Sequence, residues 1–236
     1  MVQWHWARAA ALHDDWPAPA GRHRRTVAVC TLVDRPALVL GSTQADAVAD
    51  AARVAAASVD LVRRRSGGGA VLVVPDGQVW IDVWVPRQDA RWEDDVVRSS
   101  QWLGDVWAAA LDALGVGQVA VHRGRALDSA WSKTLCFAGL GPGEVTAGGR
   151  KVVGLAQRRT RHGARMHTMA HLHWDPEPLC RLLSLEEPDR ARAVRDTAEV
   201  AVGLAQLVGG SEEDGLGPAV EEAVLTQLTE GPARPR

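Results

Sequence analysis

The stretch Arg63-Arg64-Arg65-Ser66-Gly67-Gly68-Gly69-Ala70-Val71 constrains this chain more than any other, because a basic run breaks into three glycines and resumes as an apolar strand. Three consecutive residues without a Cβ are costly inside a strand or helix, so the triplet belongs in a tight turn whose backbone can approach a ligand closely. The arginines in front of it favour an anionic ligand. An ordinary glycine-rich loop with solvated arginines would have the same composition. The Walker A spacing G-x-x-x-x-G-K-S/T is absent, so this is not a P-loop.

A second stretch, Gly149-Arg150-Lys151-Val152-Val153-Gly154, sharpens the first. Of the 27 basic residues only Lys133 and Lys151 are lysines. In a chain that otherwise writes positive charge as Arg, a retained Lys is either a chance survivor or a place where a compact ammonium is needed. Arg64 and Lys151, on separate strands, fit a site that holds a carboxylate and a phosphate together, with glycine N–H groups approaching the oxygens as charge develops.

The 236 residues suit a single domain over 1–236, with an N-terminal extension at about 1–25 and a Pro/Arg tail at about 231–236 that frays. A formal charge of −2 gives no global attraction for nucleic acid. Cys30, Cys136 and Cys180 are odd in number and far apart, which predicts free thiols in a reducing, cytoplasmic setting. The N-terminal residues Trp4, His5, Trp6, Asp14 and Asp15 include no long apolar run, so no signal peptide and no membrane-spanning segment are expected.

Along the chain, patterning predicts a short helix at 7–13, strands at 26–34 and 37–41 around an Arg35-Pro36 turn, and an Ala-rich helix at 45–58. Strands at 61–65, 70–74 and 78–85 follow, the last with Val79, Ile81, Val83 and Val85 in alternation. Residues 93–114 read as the clearest helix, opened by acids and stopped at Gly115. A strand at 118–122, a hairpin of 145–147 and 151–157 across Gly148-Gly149, and a strand at 165–174 come next. Helices fill the remainder from Pro176, interrupted near 209–217. Consecutive hairpins predict an α+β fold: a mixed, largely antiparallel sheet flanked by helices.

With both stretches in view, the chain resembles the lipoate-protein ligase family. Residues 63–71 are similar to its R-R-x-S-G-G-G-A-V signature, and residues 149–159 (G-R-K-V-V-G-L-A-Q-R-R) to its G-[RK]-K-[IV]-x-G-[SN]-A-Q-R-R segment. Leu40-Gly41-Ser42-Thr43-Gln44 matches the early L-G-x-x-Q turn. The resemblance covers roughly residues 35–175 and implies the catalytic fold shared by biotin and lipoate protein ligases. It implies an ATP- and Mg-dependent activation of lipoate or octanoate as an acyl-adenylate. Transfer would then go to a lysine on a lipoyl domain of a 2-oxoacid dehydrogenase complex or on glycine-cleavage H protein.

Carried over by position, Lys151 contacts the acyl carbonyl and the phosphate or leaving group. Arg64, Ser66, Gly67, Gly68, Gly69, Ala70 and Val71 line the acyl and adenylate pocket, together with Gly154 and His167. Val73 stands where His is frequent, Leu155 where a small residue is usual, and Thr168 where Gly follows the His. The usual Asn-Asp is replaced by Leu135-Cys136-Phe137-Ala138. A second mechanism follows from that segment. In cysteine octanoyltransferases of the superfamily a C-F pair precedes a Glu and then G-R-K, the order of Cys136-Phe137, Glu144 and Gly149-Arg150-Lys151. Cys136 would then accept the acyl group from octanoyl acyl carrier protein without ATP. A third reading, motivated by Val73, Leu155 and Thr168, is a non-catalytic lipoate binder. A biotin ligase is disfavoured by the absence of a G-R-G-R-x-G-R loop.

His167, His171 and His173 share strand parity, yet no Cys or carboxylate beside them completes a metal set, so no metal is expected. Arg158, Arg159, Arg161 and Arg165 form a basic hairpin, either a solvated face or a dock for an acidic acceptor. Trp80 and Trp84, of like parity, are read as core or pocket wall rather than a nucleic-acid stacking platform.

Overall fold

The structure, a computed structural model, describes residues 1–14, 16, 21–208 and 215–230. Its main sheet has seven strands in the order β1 (Val2–Ala7), β2 (Thr26–Leu32), β6 (Gln78–Pro86), β10 (Gly163–His171), β9 (Arg150–Arg159), β8 (Val145–Ala147) and β7 (Val119–Val121). Only the β1–β2 pair in it is parallel. A smaller sheet sets β3 (Ala37–Leu40) between β4 (Asp60–Arg63), parallel to it, and β5 (Val71–Val73), antiparallel. The expected mixed, largely antiparallel α+β architecture is therefore present.

Burial on both faces explains why β6 is nearly continuously apolar. Val79, Ile81, Val83 and Val85 pack into one core with Leu103, Val106 and Trp107 of α3 (Gln101–Ala113) and Val220 and Val224 of α7 (Leu216–Glu230). The opposite face carries Trp80 into a second core shared with β2, β3 and β5. A third cluster buries the outer face of the small sheet, through Leu38 and Leu40, against Val54 of α2 (Ala51–Ala56), Leu179 of α4 (Glu177–Arg181) and Ala193 of α5 (Glu187–Val200). The site lies in the middle layer, between the two sheets.

Several boundaries differ from the sequence expectation for local reasons. The helix expected at 93–114 begins at Gln101. Asp95 Oδ1 instead accepts from the N–H groups of Val97 and Arg98 at 2.8 and 3.0 Å, and Glu93 accepts from Asp95, so these acids close turns rather than open a helix. The helix expected at 45–58 splits into a 3₁₀ turn at Asp46–Val48 and α2, capped by Asp50, which accepts from Arg53 N–H at 3.0 Å. The break comes where Asp50 N–H turns to the Leu182 carbonyl. Residues 2–7, read as part of an N-terminal extension, form β1, and the helix expected at 7–13 is the single turn α1 (Ala9–Leu12). The expected fraying of 231–236 lies outside the described residues.

Candidate functional site

The glycine turn is held in shape from inside. Gly68 has φ +99°, the left-handed region that only glycine adopts cheaply. A Cβ on Gly69 would stand 2.6–2.7 Å from the backbone of Leu135 and Cys136, and one on Gly41 1.9 Å from the Gly68 carbonyl. Arg64, only 4% exposed, donates from Nη2 to the carbonyls of Gly67 and Gly69, both at 2.8 Å. Its guanidinium is thus a brace for the turn. Ser66 is buried with its Oγ unpartnered, while Gly67 and Gly68 are exposed.

This turn in turn fixes Cys136. Ala70 N–H donates to the Thr134 carbonyl at 2.7 Å and Cys136 N–H donates to the Ala70 carbonyl at 2.9 Å, so residues 134–136 run beside Ala70 as a short parallel bridge. The close approach needs Gly69. From the other side Lys151 Nζ donates to the carbonyls of Cys136 (2.8 Å) and Gly139 (3.0 Å) and pairs with Glu144 Oε2 at 2.6 Å. It also sits 5.0 Å over the Phe137 ring. Glu144 completes the clamp by accepting from Leu155 N–H at 3.0 Å and Gly141 N–H at 2.6 Å. Both partners are almost fully buried.

The third component is a buried charge cluster on the main sheet. His167 and Asp82 are direct cross-strand partners on β10 and β6. His167 Nδ1 lies 3.0 Å from Asp82, which also accepts from Trp80 Nε1 at 2.8 Å and from Arg165 at 2.5 and 2.8 Å. Burial would raise the Asp82 pKa, but His167 and Arg165 outweigh it and hold the carboxyl well below its ordinary range. Burial lowers the His167 pKa against the opposing pull of Asp82. Arg165 also donates to the Leu12 and Asp14 carbonyls, and this places His13 against Trp80 (4.8 Å) and His167 (5.5 Å between ring centres). Burial, and then His167, push the His13 pKa well down.

These components meet at one cavity, with about 50 Å³ open to the centre of a water molecule. That is room for a few waters or a thin aliphatic chain. Its walls are Val71, Val73, Trp80, Phe137, Leu155 and Met169, closed by Gly154 and Ala156, and its polar groups are the half-buried Cys136, His13, His167 and the edge of Arg64. Of the residues expected from sequence, Arg64, Val71, Gly154, His167 and Cys136 line it. Lys151, Ser66, Gly67, Gly68, Gly69 and Ala70 do not; they build the frame behind the Cys136 segment. The basic hairpin also divides: Arg165 is buried on Asp82, and Arg159 stacks on Trp92 and donates to the Glu93 carbonyl.

His13, Asp82 and Met169 were not singled out by sequence reasoning. For Asp82 a signal existed, since it is a carboxylate placed between two tryptophans of the same strand parity, Trp80 and Trp84. Nothing in the short Ala-Ala-Ala-Leu run ahead of His13 announces a site residue.

Comparison with known proteins agrees with this frame. An octanoyltransferase LipM from Clostridioides difficile is 26% identical over 153 residues, 64% of this chain and 56% of the relative. A second octanoyltransferase LipM, from Kyrpidia tusciae, is 31% identical over 203 residues, 84% of this chain and 71% of the relative. The fold matches that of a bi-partite lipoate protein ligase from Thermoplasma acidophilum, with a TM-score of 0.65 at 18% identity, covering 88% of this chain and 71% of that one. The profile of the lipoyl protein ligase A/B catalytic domain matches residues 4–229, and the chain belongs to that family.

Proposed function

We propose that this protein transfers a medium-chain acyl group, octanoyl in the first instance, from a thioester donor to a lysine of a lipoyl domain or H protein, through a thioester on Cys136. The observation that carries this reading is the seat of Cys136. Its N–H and C=O are fixed by Ala70 and Lys151, and its side chain stands in a narrow, almost wholly apolar cavity. The Cys136 sulfur attacks the donor carbonyl, the carrier thiol leaves, and the acceptor amine then takes the acyl group and releases the Cys136 thiol. The names of the two relatives support the octanoyl group, and the lipoyl-domain system of the T. acidophilum neighbour supports the acceptor. An acyl carrier protein is the natural donor for such a chain.

The ATP-dependent ligase reading draws on the glycine-turn signature. The residues lining the cavity do not fit a magnesium nucleotide: the one Arg there spends its donors on carbonyls, Lys151 is committed to Glu144, and no carboxylate lines the wall. The two mechanisms separate in one assay. Octanoyl-carrier thioester plus apo lipoyl domain, without ATP, should give acylated domain with the native protein and none with Cys136→Ser. Transfer that strictly requires ATP and survives Cys136→Ser rejects the proposal.

A further inference from the structure

The cavity beside Cys136 is graded in depth. Cys136, Leu155, Ala156 and Met169 are half-buried and form its outer part, whereas Val73, Trp80 and Phe137 are almost fully buried and form its inner end. We infer that the Phe137 ring is the stop that sets how long an acyl chain the site accepts. This rests on the Cys136 transferase reading and deepens it: the substrate is a straight chain of about octanoyl length, and longer chains are refused at this ring.

The ring is wedged from several sides. It stacks on Trp174 with ring centres 5.0 Å apart, and His171 packs against it at 4.9 Å. Trp174 is anchored in turn, donating from Nε1 to the Thr197 carbonyl at 3.2 Å. The Lys151 ammonium sits 5.0 Å over the ring, and β9 comes so close that a Cβ on Gly154 would stand 3.3 Å from its edge. A ring packed in this way has no room to swing aside, and a close-packed interior registers even one added methylene.

Behind the ring lies space that the cavity does not reach. His171 and Trp174, the two residues that back Phe137, also line a separate groove of about 210 Å³ on the same measure. Its other wall includes Leu72 and Val74, which alternate along the chain with the cavity-lining Val71 and Val73. Among the described residues none lines both spaces, and Phe137 is the cavity residue whose ring touches His171 and Trp174. Since the cavity lining is almost wholly apolar, each methylene that fits is favoured by burial, and each one that does not fit has nowhere to go.

The test compares acylation of Cys136 by octanoyl, decanoyl and dodecanoyl thioesters of one carrier thiol, read by mass on the Cys136 peptide. In the native protein the rate should fall at least about 10-fold at each step beyond octanoyl. Phe137→Leu, which keeps an apolar side chain in the core, and Phe137→Ala should each raise the decanoyl-to-octanoyl ratio about 10-fold or more, and Phe137→Ala should admit dodecanoyl as well. The ratio is the readout because a displaced Cys136 or a loosened fold slows all chain lengths alike. A native profile that is flat from octanoyl to dodecanoyl, or an unchanged ratio in folded Phe137→Leu, overturns the assignment while leaving the transferase intact; these two measurements decide even where Phe137→Ala fails to fold. If no thioester acylates Cys136, the transferase reading fails instead. The same ratio, read on lipoyl domain acylated from the free acids with ATP, then still tests the stop.

Discussion

Gly67 and Gly69 stand two positions apart in one turn, and substitution should separate them sharply. A Cβ on Gly67 meets nothing within 4 Å, whereas one on Gly69 runs into the Leu135–Cys136 backbone. Gly69→Ala should cost about 1–3 kcal/mol of stability and displace Cys136 enough to slow its acylation, while Gly67→Ala stays within about 0.5 kcal/mol of native; thermal midpoints and acylation rates check both. Lys151→Met should destabilise by about 3–5 kcal/mol because Glu144 is left buried and unpaired. The double change Lys151→Met with Glu144→Gln should recover part of that loss in denaturant titrations. His171 adds a pH term: packed at a tilt against Phe137 and Trp174, its pKa is pushed by burial from 6.5 to about 4. The unfolded chain therefore binds the proton more readily, so this stabilisation is complete above pH 6.5 and is lost as the pH falls from there through the folded value. His171→Phe should flatten the slope of unfolding free energy against pH in that window. A slope that does not change would remove His171 from the account.

The elements around the site were unequally legible. Strands such as 78–85 and 151–157 could be read because their alternation or apolar runs reflect real burial. β1 could not: its residues Val-Gln-Trp-His-Trp-Ala alternate between exposed and half-exposed, so no face of it is buried deeply enough to leave a period-2 signal. It is specified by tertiary context, through its parallel pairing with β2, while Arg165 holds the chain that follows by donating to the Leu12 and Asp14 carbonyls. That arginine read as part of a surface hairpin, since sequence alone does not show that its cross-strand position faces Asp82 rather than water. Arg165→Met removes the guanidinium paired with Asp82, leaving it only Trp80 and His167, and the donors to the Leu12 and Asp14 carbonyls. We expect a loss of about 3–5 kcal/mol, together with faster amide exchange at residues 8–14, where the released turn includes His13. Unchanged protection there would mean that α1 is held by other contacts.

At the scale of the whole molecule, the family, the sheet and the glycine turn were visible from three short motifs, but the division of labour among their residues was not. The same Arg-Gly and Lys motifs that suggested nucleotide chemistry are spent on carbonyls and on Glu144, and what they hold in place is a thiol. Spacing reveals which residues meet; it does not reveal which donors are already satisfied. Two sheets converge on one narrow cavity, and no described helix is long and apolar enough to cross a membrane. The most direct measurement is a single-turnover reaction with octanoyl-carrier thioester and no nucleotide, followed by mass analysis of each cysteine peptide. The octanoyl group should appear on the Cys136 peptide, with Cys30 and Cys180 unmodified, and should disappear when apo lipoyl domain is added as the domain gains it. Transfer that proceeds with Cys136 never acylated would contradict the account.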